Sequence, residues 1–233
     1  HMARARELFL AAGGVAKSNV FCRFQLALFG AAPWESLPEM PVELIIAPDW
    51  FPIHLAKMSY WARTVIVPLL VLWALRQAAR NPRGILVDEL FVPGVQPRME
   101  IPDRPYARHF AALDVFLKGF RPFWPKRLRQ KAIDKCLGFV RERLNGEDGL
   151  GAIYPAMANS VMMFDALGFG ANDPDRAIAR RSVEKLLVHR DDGEVYCQPC
   201  VSPIWDSALA AHAMLEVGEP EAEARAVAAL EWL

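Results

Sequence analysis

The sequence predicts an all-α protein, an αα-barrel or solenoid assembled from helix pairs, and two observations carry that expectation. In the last third of the chain Pro155, Pro174, Pro203 and Pro220 each open a run with helical spacing of apolar residues. Proline suits a first helical turn because its φ is already helical and its missing N–H would have no partner there. The pattern also recurs: Pro155 and Pro203 stand about 48 residues apart, and Leu186 and Trp232 about 46, a period typical of stacked helical hairpins that cannot bury their faces singly.

From the N-terminus, residues 3–10 read as a helix closed by Gly13 and Gly14, and residues 18–29 as a second helix with Val20, Phe21, Phe24, Leu26 and Leu28 apolar and Gly30 as its stop. Pro33, Pro38, Pro41, Pro48 and Pro52 then allow only short pieces such as 42–46. Residues 54–77 are the most apolar part of the chain, and 64–75 carry no charge. That run is shorter than the ~20 residues a bilayer span needs and follows Lys57 and Arg63, so it predicts a buried helix that Pro68 can kink. Trp61, near its start, is placed either to face a cavity or to fill the core. Residues 80–105 read as an irregular crossover, followed by a helix over 104–118.

The next stretch interleaves Phe120, Phe123 and Trp124 with Arg121, Lys126, Arg127 and Arg129. Such a composition suits a membrane interface, with rings in the headgroup boundary and cations in water or against anionic lipid. It equally suits a basic helix N-terminus packed on a neighbouring domain. Pro122 and Pro125 bar a regular helix across the cluster, so the rings are expected to be presented from a loop.

Further on, Ser202 is a good N-cap and Pro203 a good first helical residue. Trp205 and Asp206 then fall in the first turn, where N–H groups are unpaired and the helix dipole favours a carboxylate. An indole and an acid are held at one helix mouth, either as working groups or as a core tryptophan beside a capped terminus.

Of the 233 residues 53% are hydrophobic, enough for a large core, and 27 basic residues balance 27 acidic ones. This excludes a disordered tail, and no overall field attracts nucleic acid. Four cysteines without a secretory signal point to a reducing compartment. Cys197 and Cys200 form a CxxC, but structural zinc wants four ligands, Cys22 and Cys136 stand alone, and a thioredoxin-like site wants a βαβ context. Neither a metal nor a cofactor is therefore expected. His1 and Met2 resemble a cloning scar, and Leu230, Trp232 and Leu233 sit at an abrupt end, so the chain is expected to be a piece of a longer protein.

Three motifs, CQPCVSPIWDS at 197–207, MSYWART at 58–64 and GLGAIYP at 149–155, together resemble the bacterial squalene-hopene cyclases, and the similarity runs over nearly all of residues 3–233. The resemblance implies segments of two αα-barrel domains of a terpene cyclase, with residues 1–117 in an inserted barrel and 118–233 in the barrel of the catalytic type, truncated at its C-terminus. It implies that Trp61, Ile153, Tyr154, Pro155 and Trp205 line the substrate cavity and that Ser202 and Asp206 support its wall. The chemistry agrees: a polyene cyclising through carbocations needs a dry apolar mould and π faces, and a carboxylate held at a distance adds electrostatic stabilisation.

The sequence departs from the family pattern at Leu144 and Leu150, where a glutamine and a tryptophan are usual, and at Tyr154, where a cavity glutamine is usual. The family's Asp-x-Asp-Asp proton donor is absent; Asp191 and Asp192 run into Gly193 and read as a polar turn. The resemblance thus implies a parent enzyme, an isomerase or lyase that cyclises squalene to hopene or hopanol in hopanoid biosynthesis, and a chain that is inactive alone. Expected partners are squalene or a related polyprene and a membrane surface touched by Phe120, Phe123 and Trp124, with a homodimer of the full-length protein as a further candidate. The expected location is the cytoplasmic face of the bacterial inner membrane, peripheral and monotopic. Two competing readings are a non-catalytic helical module that binds an isoprenoid or a partner protein, and a CxxC metal or redox protein.

Overall fold

The computed structural model describes residues 1–98, 105–200 and 202–233. The predicted helix start at residue 104 lies outside them, as does Val201 of the motif at 197–207. The chain forms two compact units, His1–Phe139 and Val140–Leu233. Helices dominate both, as the sequence predicts.

In the first unit α1 (Met2–Ala11), α2 (Gly14–Lys17) and α3 (Val20–Leu28) lead into the proline-rich connector. Asn19 starts α3, its Oδ1 accepting from the Cys22 N–H at 2.9 Å. Three short 3-10 turns, Trp34–Ser36, Val42–Ile46 and Leu55–Lys57, are all that the prolines allow before α4 (Tyr60–Leu75). Ser59 caps α4 by accepting from the Ala62 N–H at 3.2 Å. The helix runs through Pro68 without a break and buries Thr64 and every residue from Val67 to Trp73, as expected of an element apolar nearly all round. Phe24 stacks on Trp73 with ring centroids 4.7 Å apart, and Trp34 meets both rings edge-on.

Arg76 closes α4 in the left-handed conformation, φ 47°, an unusual role for a residue with a Cβ. Its guanidinium is held by Glu39 at 2.7 Å and lies over the Trp34 ring, which fixes the side chain that the backbone must accommodate. After the short 3-10 turn Asp88–Leu90 come α5 (Ala107–Phe120), the 3-10 turn Arg121–Phe123 and α6 (Lys126–Arg141). The aromatic stretch thus differs from the expected loop. Pro122 cannot donate to the Lys118 carbonyl, but nothing prevents α5 from running up to Phe120, so that ring belongs to a helix and only Phe123 and Trp124 leave it. The boundary between the two units falls inside α6.

The second unit carries the predicted hairpins: α7 (Tyr154–Ala166) packs on α8 (Pro174–Glu184), and α9 (Pro203–Val217) on α10 (Pro220–Trp232). All four prolines sit in the first turn, as the pattern predicts. Asp173 caps α8, accepting from the Asp175 and Arg176 N–H groups at 3.1 and 3.0 Å. Between the hairpins lies a small antiparallel pair, β1 (Leu187–His189) and β2 (Val195–Cys197), in register with Val188 opposite Tyr196. The expected polar turn at Asp191–Gly193 is the tip of this hairpin. Its strands are three residues long and mostly exposed, too short for an alternating pattern to announce them. Among the described residues no helix is long and apolar enough to cross a membrane.

Candidate functional site

Ile153, Tyr154 and Pro155 form the start of α7, with Ile153 at the N-cap. No side chain caps this helix. A strip of chain running from β2 toward α9 does the work instead: the Tyr154 N–H donates to the Pro199 carbonyl at 2.8 Å, and Ile153 bridges Cys200. The same strip is anchored on its other side, where the Gln198 N–H donates to the Leu186 carbonyl at 2.7 Å. α9 begins at Pro203, three residues after Cys200, so the strip that contacts the start of α7 also leads to the start of α9, where Ser202, Trp205 and Asp206 lie.

Ser202 occupies the N-cap position of α9 but differs from expectation in what it does there. Its hydroxyl donates to Asp206 Oδ1 at 2.7 Å rather than accepting from the helix backbone. Asp206 is therefore held against the first turn, where the helix dipole favours its charge. Trp205 projects from the same turn and is 67% exposed; Tyr154 and Pro155 are exposed and Ile153 half-buried. Trp205 is not a core tryptophan of this unit.

The other candidate indole, Trp61, lies in the first turn of α4 in the first unit. It is 49% exposed and meets Tyr60 edge-on at 5.9 Å, so it too stands outside the packed core that α4 otherwise forms. Leu150 is fully buried and paired with Leu144 across an isolated bridge, so these departures from the family pattern supply an apolar contact within the turn that precedes α7. Cys197 and Cys200 are free and exposed. Each lies in paired, extended backbone, Cys197 opposite Leu187 and Cys200 opposite Ile153, and side chains three apart on an extended chain point to opposite sides. Among the described residues no group of three or more histidine, cysteine or acidic side chains is placed to hold a metal.

The aromatic stretch forms a continuous exposed surface. Phe116 stacks on Phe120 at 5.8 Å, Phe120 meets Phe123 at 6.2 Å and Trp124 edge-on at 5.3 Å. Phe110, Val115 and Phe116 are exposed on α5 as well, and Phe123 is 72% exposed. Trp124 differs: it is half-buried and lines a cavity.

That cavity, about 800 Å³ and apolar in most of its lining, lies wholly within the first unit, between the proline-rich connector, α5 and the start of α6. Its polar part consists of the carboxylates of Glu39, Glu43 and Asp114, all buried. Asp114 Oδ2 takes Lys118 at 2.7 Å while Oδ1 accepts the Glu39 N–H. Glu39 lies between Arg76 and Arg121, at 2.7 and 3.6 Å. Burial lowers Arg121 from the usual arginine range, with Arg76 pushing the same way and Glu39 opposing. Sequence reasoning missed this site. The signal was present in the run Pro38–Glu39–Met40–Pro41–Val42–Glu43, where two acids one helical turn apart interrupt prolines and apolar residues, a pattern a solvated loop has no need of.

A helical chain with exposed indoles at two helix mouths and an apolar cavity belongs to the class of helical terpene cyclases, as its match to the family model shows. The model described as squalene-hopene cyclase N-terminal domain matches residues 1–192, and the chain belongs to the squalene-hopene cyclase family. Among its relatives, a squalene-hopene cyclase of Zymomonas mobilis is 64% identical over all of this chain and 36% of its own length. One of Bradyrhizobium diazoefficiens is 51% identical over all of this chain and 36% of its own, and one of Schizosaccharomyces japonicus 44% identical over 93% and 33%. The chain thus spans about a third of the length of the curated relatives it matches.

Proposed function

We propose that this chain is part of a squalene-hopene-type cyclase that folds squalene in an apolar cavity and carries it through a cationic cascade to hopene or hopanol. The observation that carries the reading is the 64% identity, over the whole chain, to a protein named for that reaction. In this reading Trp61 and Trp205 offer indole faces to cations as rings form, and both stand clear of the packed cores, as that task requires. Ile153, Tyr154 and Pro155 supply wall beside Trp205, positioned by the backbone strip at Pro199 and Cys200. Asp206, tied to Ser202, adds a fixed negative charge behind the wall.

The proton that starts the cascade must come from a strong acid placed at an alkene terminus, and the chain holds no Asp-x-Asp-Asp motif. Residues 1–117 and 118–233 are assigned to the two barrels of the parent enzyme, which is peripheral on the cytoplasmic face of the inner membrane. The exposed rings from Phe110 to Phe123 support a monotopic contact through which a water-insoluble polyene enters. A second reading, a non-catalytic module that binds an isoprenoid, is favoured by the apolar cavity of the first unit.

Trp205→Ala, placed in the full-length parent and assayed with squalene by product chromatography, separates the two. The cyclase reading expects less cyclisation or partially cyclised products, with Trp205→Phe milder because a π face remains. Identical product profiles for wild type and Trp205→Ala remove Trp205 from the cavity, and a full-length protein without cyclising activity leaves the binding module.

A further inference from the structure

A strained residue lies between the buried turn and the mouth of α7. Leu150 is fully buried and bridges Leu144, and Ile153 bridges Cys200. The two residues that join these bridges, Gly151 and Ala152, are both left-handed, with φ of 69° and 52°. Glycine takes that conformation freely, whereas the Cβ of an alanine crowds the following carbonyl oxygen there. A two-residue turn with both φ values positive ordinarily carries glycine as its second member. Glycine fills the left-handed positions 146, 149 and 151 of this stretch, so an alanine at 152 stands out.

The Cβ has one effect that a hydrogen lacks. The left-handed region open to alanine is small, while a glycine in its place would also have the mirror-image extended region. Ala152 therefore fixes the direction of the chain that leaves it, and that chain is Ile153, Tyr154 and Pro155. From the other side they are held by the strip at 198–200, through the Pro199 carbonyl and the Cys200 bridge. Gln198, Pro199 and Cys200 are all exposed, so the strip is a yielding partner, whereas Leu150 and Gly151 are buried and the turn is a firm one. We propose that Ala152 is a positioning residue of the cyclase described above, its Cβ holding Ile153 and Tyr154 in one direction against the folded polyene and so narrowing the range of products. The inference rests on the assignment of Ile153 and Tyr154 to the substrate wall. Strain kept where glycine would relieve it has a use if rigidity is what the position supplies, and a wall displaced by about 1 Å is enough to alter a reaction's course.

Ala152→Gly and Ala152→Ser, made in the full-length parent, test the assignment by three measurements: the urea midpoint, amide hydrogen exchange of the 152–157 segment by mass spectrometry, and the product distribution from squalene by chromatography. Ala152→Gly loses the strain and the restriction together. Its midpoint is expected to equal or exceed that of wild type, while the Ile153 and Tyr154 amides exchange severalfold faster and the share of minor products rises severalfold. Ala152→Ser keeps a Cβ and is expected to match wild type in exchange and in products. A purely structural role does not join retained stability to broadened products. A lower midpoint or unchanged exchange in Ala152→Gly, or the same broadening in Ala152→Ser, would overturn the proposal. A parent that cyclises squalene with one product distribution in wild type and Ala152→Gly removes this role alone and leaves the cyclase reading standing; a wild-type parent that cyclises nothing removes both.

Discussion

Gly149 is a position where one methyl group matters. Its φ of 61° with ψ of −155° is a conformation that only glycine adopts without strain, and an added Cβ would run into the Cβ and Oγ of Ser182. Ser182 has little room to yield, being buried and donating to the Ala179 carbonyl at 2.7 Å. Gly149→Ala is expected to lower stability by ~3 kcal/mol, read from the urea midpoint, whereas Gly170→Ala, with open space around it, stays within about 0.5 kcal/mol of wild type. Cys136 makes a different prediction. Burial pushes its thiol up to about 12, so in the folded chain it remains a thiol where an unfolded one has ionised. The stability it lends is complete below the ordinary thiol value and is lost as pH rises toward 12. A thiol reagent at pH 8 should therefore label Cys22, Cys197 and Cys200 rapidly in the native chain and Cys136 only after denaturant is added. Rapid labelling of all four without denaturant would contradict the burial.

At the scale of elements, α5 is the helix whose surface most needs explaining. It buries Asp114 and exposes Phe110, Val115 and Phe116, an inversion of the usual helix that makes sense if its outer face meets hydrocarbon. Phe116→Ser combined with Phe123→Ser should reduce co-sedimentation of the chain with phosphatidylglycerol vesicles severalfold while helicity is retained; undiminished partition would assign the rings to protein packing. Trp124 is left unchanged in that comparison because it lines the cavity. How far the elements could be read in advance depended on their physics. The starts of α7, α8, α9 and α10 were legible because each proline is a local signal, and α4 was legible because a charge-free run has no solvated alternative. The β-hairpin was not, since strands of three exposed residues carry no pattern. The assignment of Ile153 and Tyr154 to a cavity wall rests on motif resemblance and remains a proposal: nothing local in either residue distinguishes a substrate-facing side chain from an exposed one. The cavity of the first unit is assembled from segments such as those of Glu39 and Asp114, 75 residues apart, and the pairing of its buried acids is a property of the assembled fold alone.

For the molecule as a whole, the expected outcome is that this chain, incubated alone with squalene, yields no cyclic triterpene above a control without protein, because alkene protonation requires an acid that none of its motifs supplies. Hopene in that assay would mean that another group acts as the acid. A separate consequence follows from the strip at residues 198–200, which holds α7 through the Pro199 carbonyl and the hairpin through the Gln198 N–H. Backbone atoms make both fastenings, so side-chain identity there is loosely constrained, while the number of residues is not: one inserted or deleted residue shifts the spacing of both attachments and carries the mouth of α9 with it. In the full-length cyclase proposed above, libraries that vary loop length at this strip should therefore redirect product outcome more often than libraries that vary its composition.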